Sequence, residues 1–286
     1  MDRMKKKVNL LPNVITAFAL CCGLFAIFKI SSIGAGEVTR DVLNLTTGIL
    51  LLAAFADLLD GAVARVMKAE SEFGGLFDSM ADAVTFGVAP AVIVLKTLSI
   101  VPGTELSYLL TAAAMIYAVC GVLRLVRFNL LSQRSAEDQV LAEAHKKHFT
   151  GLPIPAAAAA IISSNLFLMS EELNSVFSIS LRTRVWVLFS QLIIIGYFMI
   201  SRWKFPSLKT LNIRVASFQQ VFVIVLFTVF VIFYGLIQHF SIVFVSGSWG
   251  YVIIAWILSI IRKISGKKSK TLEDFEPDPD DLENIE

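Results

Sequence analysis

Asp57, Asp60, Asp78 and Asp82 lie in stretches otherwise apolar enough to cross a bilayer. An ionised carboxylate in hydrocarbon costs a few kcal/mol or more, so such a residue faces a cavity, a partner or an ion. Asp57, Asp60, Gly61 and Ala64 recur at i, i+3, i+4 and i+7, one face of a helix, and Asp78 and Asp82 are again four apart. If the helix ending near Lys68 and the helix starting near Phe77 are antiparallel neighbours, all four acids meet at one end of the hairpin. Gly74 and Gly75 are expected to let the chain reverse between them. Hard divalent cations such as Mg²⁺ or Mn²⁺ favour all-oxygen sites and keep coordination positions for phosphate or water. A structural ion-pair cluster around Arg65 is the competing account, but one arginine against four acids leaves the charge unbalanced. Gly61 and Ala64 remove bulk from the acid face, where a ligand could approach the backbone.

The elements that must carry these acids are membrane helices. The chain has 286 residues, 56% of them hydrophobic, with a mean hydropathy of +0.73, which excludes an ordinary soluble domain. Period-2 alternation is absent, which argues against a β-barrel. Apolar runs predict an all-α integral membrane protein of about eight transmembrane helices in one bundle. They are placed at 12–30, 43–67, 77–99, 107–130, 153–170, 184–201, 217–239 and 243–262. Pro90 falls inside the third and predicts a kink there. Eight spans put both ends on one side. All of the 25 Lys and Arg except Lys29, Arg40, Lys96, Arg182 and Arg184 then fall on that same side, although the net charge is only +2. The positive-inside rule makes it the cytoplasmic side, with the acids facing it. Residues 1–265 form the membrane domain, and the acidic tail 266–286 is expected to be disordered. Cys21, Cys22 and Cys120 are expected to be free, buried thiols, and the three histidines show no zinc-ligand spacing.

The run from Asp57 through Asp60, Gly61, Ala64, Arg65, Gly74 and Asp78 to Asp82 resembles, at every fixed position, the signature of the CDP-alcohol phosphatidyltransferases. That resemblance implies two divalent metals held by Asp57, Asp60, Asp78 and Asp82, a CDP-linked lipid as phosphatidyl donor, and Asp82 as general base. It also implies donor contacts from Gly61, Ala64 and Arg65, and from Asn13 and Thr16, which follow Pro12 at the start of the first helix, with helix capping as the alternative for Asn13. The chemistry is consistent, since paired metals can stabilise the attacking and leaving oxygens of an in-line displacement at a pyrophosphate.

Arg124 and Arg127, three apart at a helix end, could hold a phosphate or carboxylate through paired N–H donors, with snorkelling as the alternative. Together with Phe128, Asn129, Gly151, Leu152, Pro153 and Pro155 they resemble the phosphatidylserine synthase branch of the family. The branch implies CDP-diacylglycerol as donor and L-serine as acceptor. Arg124 or Arg127 would take the serine carboxylate, and Asn129 or a site acid the ammonium. The charged segment 130–148 either covers the site or is a solvated linker. The resemblance further implies a homodimer in the cell inner membrane, in contact with membrane lipids and with no nucleic-acid partner. Another alcohol, such as glycerol 3-phosphate or inositol, is the alternative within the family. A cation-coupled transporter is the alternative outside it, and acids crowded at one end without repeat symmetry speak against that.

Overall fold

The structure is a computed structural model and describes residues 10–34, 37–67, 71–98, 100, 103–137, 148–201, 204–206 and 239–264. The expected helix at 217–239 except its last residue, most of the segment 130–148 and the acidic tail lie outside the described residues. Helices α1 (Leu10–Ser31), α2 (Arg40–Val66) and α3 (Glu72–Asp82) come first. A π-helical turn over Ala83–Val88 joins α3 to α4 (Ala89–Thr97). Then follow α5 (Glu105–Glu137), strand β1 (His148–Thr150), α6 (Ile154–Leu168) and α7 (Glu171–Val176). The last elements are α8 (Leu181–Ile200), strand β2 (Lys204–Pro206) and α9 (Phe240–Ile264). Six of these helical segments are long and apolar enough to cross a membrane. Among the described residues the fold is helical apart from one antiparallel ribbon that pairs Phe149 with Phe205.

Helix α6 matches the expected element at 153–170 in place but is only 15 residues long, roughly 22 Å at the helical rise. It is also buried nearly all round, with Ile154, Ala157, Ala160, Ile161 and Leu166 all at 1% exposure or less. Apolar residues on every face belong to a helix enclosed by others. The outer helices instead show apolar faces outward, as at Phe18, Phe25 and Phe28 of α1 and Phe55 and Leu58 of α2, the pattern of a lipid-facing surface. Cys21 is on such a face. The three thiols are free, but Cys21 is exposed, contrary to expectation. Cys21 shares the outward face of α1 with Phe18, Phe25 and Phe28, while Cys22, about 100° around the helix, turns to the core.

Helices α1 and α2 are antiparallel. Their N- and C-terminal parts meet at Thr16 and Asp60, while Ile30 and Leu43 share a core at the other end. Beyond that second end Arg40 pairs with Glu172 at 3.2 Å, fastening α2 to α7. The acids and this ion pair therefore occupy opposite ends of the bundle.

Pro90 acts through a missing donor. It has no N–H, so the carbonyl of Phe86, four residues earlier, loses its helical partner. The hydroxyl of Tyr117 on α5, itself fully buried, donates to that carbonyl at 2.9 Å. The π turn just before Pro90 lets the Ala89 N–H reach Val84, five residues back. Gly87 and Gly121 face each other across this junction, where a Cβ at Gly121 would come 2.9 Å from Ile154 Cδ1 and 3.7 Å from Gly87 Cα. Tyr117→Phe keeps the ring and strands the carbonyl. It should cost about 1–3 kcal/mol, read as a lower unfolding midpoint in detergent. An unchanged midpoint would mean that Phe86 finds another donor.

Gly151 opens the path into α6. Its φ is +78°, and a Cβ there would strike the carbonyl of Met199 at the end of α8. The next residue, Leu152, donates its N–H to the Phe198 carbonyl at 3.0 Å. The motif Gly151 to Pro153 therefore docks one chain segment onto the C-terminus of another helix.

Candidate active site

Asp57 and Asp60 stand on the last turns of α2, and Asp78 and Asp82 on α3. Asp57, Asp60 and Asp78 each offer a carboxylate oxygen, and these oxygens lie within 4.8 Å of one another. Two unit charges at that separation repel by roughly 3 kcal/mol at an effective dielectric of about 20. Arg65, exposed at the rim, is poorly placed to offset three such pairs. The donor set is all oxygen, and Asp78 Oδ1 is buried without a hydrogen-bond partner. Both features fit a hard divalent cation.

Asp60 is 5% exposed, and its Oδ2 accepts a 2.5 Å hydrogen bond from the Thr16 hydroxyl of α1. That bond holds the first helix against the acids. Asp82, one turn beyond Asp78, faces Asp57 and Asp78 and also the Arg124 side chain of α5. Of the four acids it is the one that interacts electrostatically with Arg124, and it stands outside the convergent three.

A pocket of about 200 Å³ opens beside Asp60 and Asp78. Asn13, Thr16, Gly61, Ala64 and Arg65, the five residues expected at the donor, all line it, together with Ser71, Gly74 and Gly75. The last three correct the expected hairpin. Helix α3 begins at Glu72 rather than Phe77, with the Ser71 hydroxyl accepting from the Gly74 N–H at 3.0 Å. Both glycines therefore lie in the first turns of a helix and reverse nothing. The N-cap serine was the sequence signal for this start. A Cβ at Gly74 would sit 3.1 Å from Asn13 Oδ1, so this glycine lets α1 and α3 approach at the pocket wall. A helix N-terminus opening on a pocket favours phosphate.

A second, narrow apolar groove runs along α2 from Ala54 to Thr47 and is closed by Phe86, Ala158 and Phe244. Ala54 is one turn from Asp57, so the groove leads away from the acids along α2.

The expected arginine pair separates. Arg127 Nη1 donates to the Ile200 carbonyl at 3.1 Å, capping the C-terminus of α8. Arg124 lies within electrostatic reach of Asp82 and Tyr251, and its Nε is buried without a partner. Residues three apart on a helix differ by about 60°, enough for two long side chains to part. Asn129 exchanges hydrogen bonds with Ser79 of α3, at 2.9 and 3.1 Å. It thereby ties the end of α5 to the acid helix. Neither Ser79 nor Tyr251 was anticipated, and neither has a local sequence signal.

The profile of the CDP-alcohol phosphatidyltransferase family matches residues 9–195. Three relatives each carry the name CDP-diacylglycerol–serine O-phosphatidyltransferase. A protein of Mycobacterium leprae is 37% identical over 163 residues, which is 56% of this chain and 48% of that protein, so the match spans about half its length. One of Helicobacter pylori is 27% identical over 90% of this chain and 95% of its own. One of Bacillus subtilis is 31% identical over 71% of this chain and 93% of its own.

Proposed function

The chain belongs to the CDP-alcohol phosphatidyltransferase family, and from that premise we propose that it transfers the phosphatidyl group of CDP-diacylglycerol to the hydroxyl of L-serine, releasing CMP. The convergence of Asp57, Asp60 and Asp78 beside the pocket is the observation that carries this reading. Names of relatives that cover most of their own length support serine as the acceptor.

Asp57, Asp60 and Asp78, with Asp82 adjoining, would hold Mg²⁺ or Mn²⁺, which supplies charge neutralisation at the donor pyrophosphate. Asn13, Thr16, Gly61, Ala64 and Arg65 receive the cytidine and phosphate end of the donor in the pocket. One acyl chain follows the apolar groove past Ala54 toward Thr47. Arg124 takes the serine carboxylate, since its buried Nε is an unmet donor. Asp82 then removes the serine hydroxyl proton as that oxygen attacks the lipid-side phosphorus, and the bond to CMP breaks. Serine's hydroxyl is a far weaker acid than a carboxylate, so proton removal runs together with P–O bond formation. Arg127 and Asn129 act by position, the first on α8 and the second on α3.

Both termini and the acids face the cytoplasm in this reading, supported by the segregation of Lys and Arg. A homodimer in the inner membrane rests on family resemblance. The test is CMP release by purified protein given CDP-diacylglycerol and L-serine, glycerol 3-phosphate or inositol, with Mg²⁺, Mn²⁺ or a chelator. Serine-dependent release that stops on chelation is expected. Release with inositol or glycerol 3-phosphate and none with serine overturns the acceptor, and full release under chelation overturns the cation.

A further inference from the structure

Arg124 is an incomplete site. A guanidinium has five N–H donors and no acceptor, and its charge makes an unmet buried donor costly. Its Nε is buried with no partner, and Asp82 and Tyr251 lie within its electrostatic reach. Tyr251 comes from α9, well beyond the stretch that the family profile matches. It is half-buried against the core that α5, α6 and α8 share, and its hydroxyl makes no hydrogen bond among the described residues.

Two bonds fix α9 at this depth. Ser248 and Ser163 share a 2.6 Å hydrogen bond, and Trp249 Nε1 donates to Ser164 Oγ at 2.7 Å, both to α6 and both within one turn of Tyr251. A tyrosine on so anchored a turn has little freedom to move away from Arg124.

We propose that Tyr251 is a specificity-determining residue for the acceptor, its hydroxyl joining Arg124 in holding the carboxylate of the incoming amino acid. This rests on the serine reading above. A neutral phenol beside a guanidinium turns its oxygen lone pair to the cation and leaves its O–H for an anion. The acceptor carboxylate has two oxygens. Arg124 can serve both through its fork, and Tyr251 adds a further donor from the opposite helix. An alcohol without a carboxylate gains nothing from either, so the pair selects for an amino acid over a simple amino alcohol.

The experiment is full-length Tyr251→Phe, which keeps the ring and its packing. Kinetics are measured with CDP-diacylglycerol and either L-serine or serinol, which has the hydroxyl and the ammonium but no carboxylate. The KM for serine should rise roughly 10- to 100-fold, the loss of one hydrogen bond to a charged group. The KM for the donor and the turnover of serinol should hold, so that the preference for serine over serinol falls by the same factor. An unchanged serine KM, or a loss shared equally by serine and serinol, overturns the proposal. Should that variant not fold, Tyr251→Cys in a background with Cys21, Cys22 and Cys120 replaced by Ala gives a second measure. L-serine with donor present should protect it from a water-soluble thiol reagent, and equal labelling with and without serine overturns the proposal. Wild-type protein that ignores L-serine would overturn the functional reading and this inference with it, a failure visible before any variant is made.

Discussion

Asp82→Asn protein should fold, bind CDP-diacylglycerol with near-normal KM and release CMP roughly 10²- to 10⁴-fold more slowly, the usual contribution of a positioned base. Asparagine matches aspartate in shape, so the contacts of this side chain with Asp57 and Asp78 keep their spacing. What it loses is the ability to accept a proton at physiological pH. The convergent oxygens belong to Asp57, Asp60 and Asp78, so the donor's cation site survives the change in large part. Asp78→Asn should behave differently. It alters a member of that trio whose Oδ1 is buried and unpartnered, so it should raise the metal concentration needed for half-maximal rate. CMP release with serine as the varied acceptor separates the two cases. Turnover by Asp82→Asn within about tenfold of wild type would remove Asp82 from the base role.

Gly61→Leu should leave the protein as stable as before, or more so, and raise the KM for CDP-diacylglycerol by more than about 100-fold. In the structure a Cβ at Gly61 meets nothing nearer than Arg65 Nη1 at 3.8 Å, so the fold has room for it. Replacing a helical glycine with leucine also favours the helix by several tenths of a kcal/mol or more. Gly61 lines the pocket beside Asp60, so the new side chain takes up space there. Gly23→Ala is the contrast. There a Cβ would collide with the Thr85 side chain and come 2.9 Å from its Cα, so α1 must shift and stability should fall. Thermal unfolding in detergent beside donor kinetics distinguishes a glycine kept open for a ligand from one required by packing. Normal donor kinetics in Gly61→Leu would show that the donor binds elsewhere.

Much of the site was legible because membrane helices make polar residues conspicuous. The spacing of Asp57, Asp60, Gly61 and Ala64 identified one face, and that face borders the pocket. Helix spans were readable from apolar length alone, since six described helices meet that criterion. The start of α3 was missed because two glycines suggested a turn, while a single serine cap outweighs them once α1 packs close to Gly74. The divergence of Arg124 from Arg127 was illegible for a different reason. It depends on where the C-terminus of α8 ends and on a tyrosine from α9, contacts distant in sequence. Gly151 and Leu152 were read as marks of a family branch, and their local work is to dock on α8.

The π turn ahead of Pro90 inserts one residue more than an α-helix would hold there, and one residue amounts to about 100° of azimuth. The segment bearing Asp78 and Asp82 is thus keyed at a fixed angular offset from the segment bearing Ala89 and Ile93, which packs with Ala26 and Leu43. Shortening this junction by a residue would mend the helix and spoil the alignment. The carboxylates would swing out of phase with α2 while each half stayed well formed, so the irregularity serves as the indexing joint between the reactive end of the bundle and its anchored end.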